Sequence, residues 1–210
     1  MEDAPPSTKS PDPAATTARA GRVILDDLGI RRSLMRIAHE IVERNQGCED
    51  LYLVAIPNGG VPLGRLLVEN LGEVAGHCVP LGILDTTLYR DDLSIRGERP
   101  QLRGTEMPSS VDGQVVVLVE DVVNTGRTIR AAMDALMDFG RPRAVQVVAL
   151  VDRGHRELPI KIDYVGKNIP TRSDEKVQLR GEAEGFGGAL EMAVIPEKTG
   201  LPPSQPEVVT

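Results

Sequence analysis

The sequence predicts an α/β fold, a central parallel sheet flanked by helices, and three observations predict it. Short, almost wholly apolar runs recur at residues 51–56, 115–119 and 144–151, the pattern of strands covered on both faces. Stretches with helical apolar spacing lie between them. Only 2% of the 210 residues are aromatic and Trp is absent, so the core falls to Val, Leu, Ile, Ala and Met, which suits a buried sheet. Strands alternating with helices build right-handed βαβ units, and such sheets bind ligands beyond the carboxyl ends of their strands.

Taken in order, residues 1–21 are rich in Pro, Ala, Ser and Thr, lack apolar periodicity and are expected to be a disordered tail. Asp26 or Asp27 can cap a helix in which Ile30, Leu34, Ile37, Ala38 and Ile41 form one stripe, ending near Gly47. A strand over 51–56 leads into a turn at Asn58, Gly59 and Gly60, then a helix over 62–71. A strand fits 78–84. Residues 85–113 are polar, with charges from Arg90 to Arg103, too long for an ordinary connection and read as a functional flap or hairpin. The strand 115–119 precedes a helix over 128–139, with Ile129, Ala132, Met133 and Leu136 on one side and Gly140 closing it. A strand over 144–151 follows, and 177–179 can form a short last one. One domain over 22–181 results, with 182–210 as a mostly irregular extension carrying one apolar patch at 190–195 that can dock.

Composition excludes several classes. No run of about 18 apolar residues exists to span a bilayer, and residues 1–21 offer no apolar core of a secretory signal, so a soluble cytoplasmic protein is expected, without a membrane partner. A net charge of −7 argues against a chain that coats nucleic acid nonspecifically, but leaves room for a local basic face. Cys48 and Cys78 sit in no CxxC pair, have no His at ligand spacing, and read as buried thiols. No metal ligand set is assigned directly. There is no GxxxxGK[ST] phosphate loop and no internal repeat, and the glycines at 185–188 follow no strand, so they read as tail.

The strongest local signal is Val115-Val-Val-Leu-Val119 running into Glu120-Asp121, then Val122-Val123-Asn124-Thr125-Gly126-Arg127-Thr128, then a helix. Such a strand delivers two carboxylates to its carboxyl end and hands over to a loop at a helix amino terminus. Backbone N–H groups and hydroxyls there can wrap a phosphate, helped by the helix dipole. Acids are wrong for phosphate but right for sugar hydroxyls. The stretch resembles the 5-phosphoribosyl 1-pyrophosphate (PRPP) motif of the type I phosphoribosyltransferases, a fold with a parallel sheet, a flexible flap and a hood. Ile56-Pro-Asn-Gly-Gly60 matches the loop that holds pyrophosphate in those enzymes, where glycines let the backbone come close.

Four further stretches, Arg31-Arg-Ser-Leu-Met-Arg-Ile-Ala-His-Glu40, Thr86-Thr-Leu-Tyr-Arg-Asp-Asp-Leu93, Val151-Asp-Arg-Gly-His-Arg-Glu-Leu-Pro159 and Tyr164-Val-Gly-Lys-Asn-Ile-Pro-Thr171, together resemble the PyrR family. Its members are pyrimidine-operon attenuators that bind messenger RNA under control of uridine nucleotides and resemble or act as uracil phosphoribosyltransferases. The resemblance implies that Glu120, Asp121, Val122, Val123, Asn124, Thr125, Gly126, Arg127 and Thr128 hold ribose 5-phosphate, that Asn58 and Gly59 hold pyrophosphate, and that Arg153 and Val177 flank uracil. Arg90 and Arg99 would swing from the flap onto pyrophosphate, with Asp121, Glu120 and Arg90 as the catalytic groups and Mg²⁺ arriving with PRPP.

The same resemblance implies binding of an RNA leader stem-loop by Arg32, Arg36, His39, His155, Arg156, Lys161 and Lys167, control by UMP or UTP, and a homo-oligomer. Arg32, Arg36 and His39 share one helix face opposite the apolar stripe. The family usually has Asp at both acidic positions, an aromatic residue at 124 and Thr-Arg at 58–59, where this chain has Glu120, Asn124 and Asn58-Gly59. Two other functions share the motifs: a nucleotide-sensing regulator without appreciable turnover, and a transferase for another base with no RNA role.

Overall fold

A computed structural model describes residues 21–57, 59–91, 104–181 and 189–196. Five strands form a wholly parallel sheet: β2 (Leu51–Ala55), β3 (Leu81–Ile83), β4 (Val115–Val123), β5 (Ala144–Asp152) and β6 (Tyr164–Asn168), in spatial order β3-β2-β4-β5-β6. Three more, β1 (Arg22–Leu25), β7 (Glu175–Arg180) and β8 (Glu191–Pro196), form an antiparallel sheet in the order β1-β8-β7. The helices are α1 (Asp27–Asn45), α2 (Gly60–Ala75) and α3 (Arg127–Leu136).

Alternation along each buried strand fills two core layers. Leu53, Val117, Val119 and Leu150 face α1 and α2, meeting Ile30, Leu34, Ile37, Leu63 and Leu67. Val54, Val116, Leu118 and Ala149 face α3, meeting Ile129, Ala132 and Leu136. The α1 stripe read from the sequence is buried in full, and Asp26 caps it, its Oδ1 accepting from Gly29 N at 2.8 Å. The expected end near Gly47 falls at Gln46, which takes the left-handed conformation (φ 57).

Several boundaries move. The strand expected over 78–84 shrinks to Leu81–Ile83, because Gly76 ends α2 in the left-handed conformation and the chain needs 77–80 to turn back. Cys78 lies in that turn and is exposed, against the expectation of a buried thiol; Cys48 is buried. The helix expected over 128–139 is α3 followed by a 3₁₀ turn, Met137–Phe139. The segment at 177–179 joins the antiparallel sheet, while the apolar patch at 190–195 docks as that sheet's central strand, burying Met192, Ala193 and Val194. This hood sits over the amino end of α1, where the Asp27 carboxylate accepts from Leu190 N at 3.1 Å. Residues 1–20, nearly all of the expected tail, and 92–103, the middle of the expected flap, lie outside the described residues. The flap's two roots are joined by pairing of Ile83 with Glu106. Among the described residues no helix is long and apolar enough to cross a membrane.

Leu118 is fully buried at the centre of β4. Its replacement by Ala should cost about 2–5 kcal/mol, through lost transfer energy and an unfilled cavity, read as a lower urea midpoint at unchanged slope.

Candidate active site

The parallel pairing of β4 runs past the apolar stretch: Glu120 is level with Ala149, Val122 with Val151 and Val123 with Asp152. Glu120 and Asp121 are therefore strand residues on opposite faces, not the first residues of a loop. Val122 and Val123, expected in the phosphate loop, end the strand, and their side chains pack into the two core layers. The loop contracts to Asn124, Thr125 and Gly126. Asp121 lies directly against Gly59, since a Cβ built at 59 would overlap its carboxylate, and Gly60 presses on the Val119 carbonyl in the same way. The close approach brings the turn after β2 against the acid of β4.

Gly126 takes the left-handed conformation (φ 91) and has no side chain with which to cap α3. Thr125 Oγ1 accepts from Arg127 N at 3.3 Å, and Thr128 Oγ1 accepts from Arg90 Nη1 at 3.2 Å. The loop thus combines backbone amides, two hydroxyls and a helix amino terminus, with the Arg90 guanidinium beside it. Arg127 turns outward, pairing with Asp91 at 2.5 Å and Glu157 at 2.8 Å.

Two buried side-chain oxygens have no hydrogen-bond partner among the described residues, Glu120 Oε2 and Asn124 Oδ1, and both lie on this strand and loop. Burial holds the Glu120 carboxyl well above the usual carboxylate range, the Asp121 charge adds to the rise, and Arg90 opposes it. Burial also raises Asp121, against the lowering effect of the Val122 amide, its own amide and the Lys176 charge. Glu120 Oε2 and Asn124 Oδ1 thus stand buried next to a loop suited to an anion, while Asp121 accepts from backbone amides.

The other expected residues divide. Asn58 and Arg99 lie outside the described residues. Arg153 is buried, and its guanidinium reaches Thr171 Oγ1 (2.9 Å), Arg172 O (3.1 Å) and Glu175 O (2.6 Å), fastening the start of β7 to the end of β5. Val177 is buried under the hood among residues that also pack on α1. Arg32, His39 and Lys161 are exposed. Arg36 is exposed yet engaged with Glu40 and with the Val165 and Gly166 carbonyls, and Lys167 donates to Ile24 O at 3.0 Å. His155 Nε2 lies 2.8 Å from Thr171 O, and Arg156 turns its guanidinium inward onto Asn124 O at 2.6 Å. Sequence reasoning missed Thr171 and Asp91; both stand inside the family-like stretches, but nothing in their spacing marks them as partners of Arg153 and Arg127.

Two substitutions probe this geometry. Gly59 has an ordinary right-handed backbone (φ −69, ψ −26), so Gly59→Ala adds no backbone strain and acts only by displacing Asp121. It should weaken nucleotide binding at least about tenfold in titration calorimetry, the scale of a site displaced by about an ångström, and lower the melting temperature as well, since overpacking of this kind costs about 1–3 kcal/mol. For Glu120, a folded-state value above the unfolded one means the folded state holds the extra proton, so stability falls as pH rises from the unfolded value. Glu120→Gln should therefore raise stability near pH 7–8 by about 1–3 kcal/mol, a gain that shrinks as pH falls toward about 4.5 in melts across pH.

Residues 23–182 match the phosphoribosyl transferase domain family. Over 163 residues, 78% of this chain and 90% of the relative, the sequence is 58% identical to the Bifunctional protein PyrR of Pelotomaculum thermopropionicum. Proteins of the same name from Roseiflexus sp. (55% over 157 residues, 75% of this chain and 86% of theirs) and Bacillus cereus (52% over 159 residues, 75% and 88%) are similar to it as well. Among solved structures, the hypoxanthine phosphoribosyltransferase of Trypanosoma cruzi shares the fold with a TM-score of 0.64 at 20% identity, covering 85% of this chain and 98% of that one. A hypoxanthine-guanine phosphoribosyltransferase from Bacillus anthracis does so with a TM-score of 0.65 at 18% identity, covering 84% and 99%. With residues 23–182 matching the domain and 52–58% identity to these proteins over about three quarters of its length, the chain belongs to the PyrR family of phosphoribosyltransferases.

Proposed function

We propose that the protein transfers the phosphoribosyl group of PRPP to uracil, giving UMP and pyrophosphate, and that UMP or UTP in the same pocket governs its binding to a messenger RNA leader stem-loop. The observation that carries this reading is the pair of unpartnered buried acceptors, Glu120 Oε2 and Asn124 Oδ1, beside a loop of amides and hydroxyls. A ligand with sugar hydroxyls that donate to these oxygens, and a phosphate that accepts from the loop's amides and hydroxyls, satisfies the whole arrangement. The relatives' name, Bifunctional protein PyrR, supports two activities on one chain.

In the transfer, the bond from ribose C1′ to the pyrophosphate oxygen breaks and a bond from C1′ to uracil N1 forms as the N1 proton passes to the departing pyrophosphate or to water, with positive charge building on the sugar between the two. Asp121 would stand beside that charge and stabilise it, while Thr125, Thr128 and the first amides of α3 hold the 5-phosphate still. Arg90, already at the phosphate loop, would pair with the departing anion. Arg153 would set the wall of the base pocket by holding residues 171–175 against β5. Of the described residues, Glu120 and Asp121 are acids beside this loop, oxygen donors of the kind a magnesium ion carried on the substrate takes. Mg²⁺ bound this way supplies charge neutralisation to the leaving pyrophosphate.

For RNA, Arg32, Lys161 and the His39 imidazole are exposed, with the exposed Arg36 between Arg32 and His39 on α1. A stem-loop would be read by shape and by its unpaired bases. The reading requires the cytoplasm, where these substrates meet RNA, and the family resemblance implies a homo-oligomer. A second reading, a uridine-nucleotide sensor that binds RNA without turnover, is favoured by Asn58-Gly59, which leaves the pyrophosphate turn without a cation of its own.

Labelled UMP formed from uracil, PRPP and Mg²⁺ tests the proposal. Wild-type turnover should fall about 10²–10³-fold in Asp121→Asn, the loss typical of a removed electrostatic stabiliser. Arg32→Ala should weaken the UMP-dependent RNA shift while leaving turnover intact. No turnover in wild type with UMP still bound would select the sensor, and hypoxanthine used in place of uracil would overturn the substrate assignment.

A further inference from the structure

The connection from β5 to β6 wraps the outer side of the phosphate loop. Gly154 and His155 both take left-handed backbones (φ 76 and 59), and Gly154 N donates to Asp152 Oδ1 at 3.0 Å, so the chain doubles back on itself. The reversal returns Arg156 to the loop. Its Nη2 donates to Asp152 Oδ2 at 2.7 Å, its Nη1 to Asn124 O at 2.6 Å and, at the longer distance of 3.4 Å, to Gly154 O, and its Nε to Ile160 O at 3.2 Å. The next two residues continue the contact: Glu157 N and Leu158 N both donate to Thr125 O, at 3.0 and 3.2 Å. Gly126 then packs flat on Leu158 and Ile160, which a Cβ at 126 would meet at 3.7 and 3.0 Å.

The peptide unit is planar and trans, so its C=O and the following N–H point in opposite directions. Pinning Asn124 O outward turns Thr125 N–H to the other side, and pinning Thr125 O does the same for Gly126 N–H. We propose that Arg156 is a positioning residue for the phosphate loop: by fixing the Asn124 carbonyl against Asp152 it aims the loop's amides inward and sets affinity for the 5-phosphate of PRPP and UMP. It acts through the backbone, with its guanidinium partly buried and paired with Asp152. The bidentate fork matters, because a Lys cannot reach Asn124 O, Asp152 and Ile160 O from one head group.

This inference rests on the proposed nucleotide site, and its test separates the two. UMP and uridine differ only in the phosphate, so the affinities of wild type, Arg156→Gln and Arg156→Lys for both are compared by titration calorimetry, alongside melting temperatures. Arg156→Gln should bind UMP about tenfold more weakly with uridine affinity within twofold, and Arg156→Lys should fall between, keeping the charge but losing the fork. In turnover, KM for PRPP should rise while KM for uracil and kcat at saturation hold. Equal losses for UMP and uridine, or none for UMP, would overturn the positioning role while leaving the nucleotide site in place. If Arg156→Gln melts early, the UMP-to-uridine ratio in Arg156→Lys decides. A wild-type chain that binds no UMP sinks the site and this proposal together.

Discussion

Everything at the site depends on β4, which β2 pairs from Val115 to Val119 and β5 accompanies on its other side as far as Val123. A strand so fixed cannot swing its side chains toward water when the sequence turns from Val to Glu and Asp. The apolar layers anchor the backbone, and the ladder carries Glu120 and Asp121 to a place they would not choose by solvation alone. Glu120 consequently keeps its proton more tightly than an ordinary carboxyl, and it has an oxygen that nothing among the described residues satisfies. The fold stores that mismatch at the carboxyl end of the sheet's central strand.

The contact between Asp121 and Gly59 extends this constraint sideways. The turn after β2 must be bare of side chains at 59 and 60 because β4 occupies the space, with its acid at one position and the Val119 carbonyl at the other. The presence of glycines there is a packing requirement first, and it brings the turn after β2 against the acid of β4.

How much of this is legible in sequence follows from the range of each interaction. The buried stripe of α1, the apolar strands and the acid-to-glycine order of 120–126 are local patterns, and they read directly. The end of β4 does not, because Val122 and Val123 suit a strand or a loop equally and only pairing with Val151 and Asp152 decides. The arginines are harder still. Composition says that Arg127, Arg153 and Arg156 are cations, but Asp91, the Thr171 hydroxyl and the Asn124 carbonyl determine where each guanidinium goes, and these partners come from distant segments. A cation expected at a surface from its charge is in these cases claimed by an oxygen the sequence could not place beside it. Arg32 and His39 stay exposed on α1, while Arg36 between them is taken by Glu40 and by the Val165 and Gly166 carbonyls.

The hood has a temporal consequence. Its central strand is β8, flanked by β1 and β7, so that Arg22 pairs with Val194 and Val177 with the same residue on the other side. A ribosome releases β1 first and β8 after nearly everything else, and until then β1 has no strand to join. The five parallel strands can assemble on the nascent chain while the cap over α1 waits, leaving Ile30 and its neighbours partly uncovered during synthesis. A chain cut at the family boundary near residue 182 would freeze the molecule at that unfinished stage.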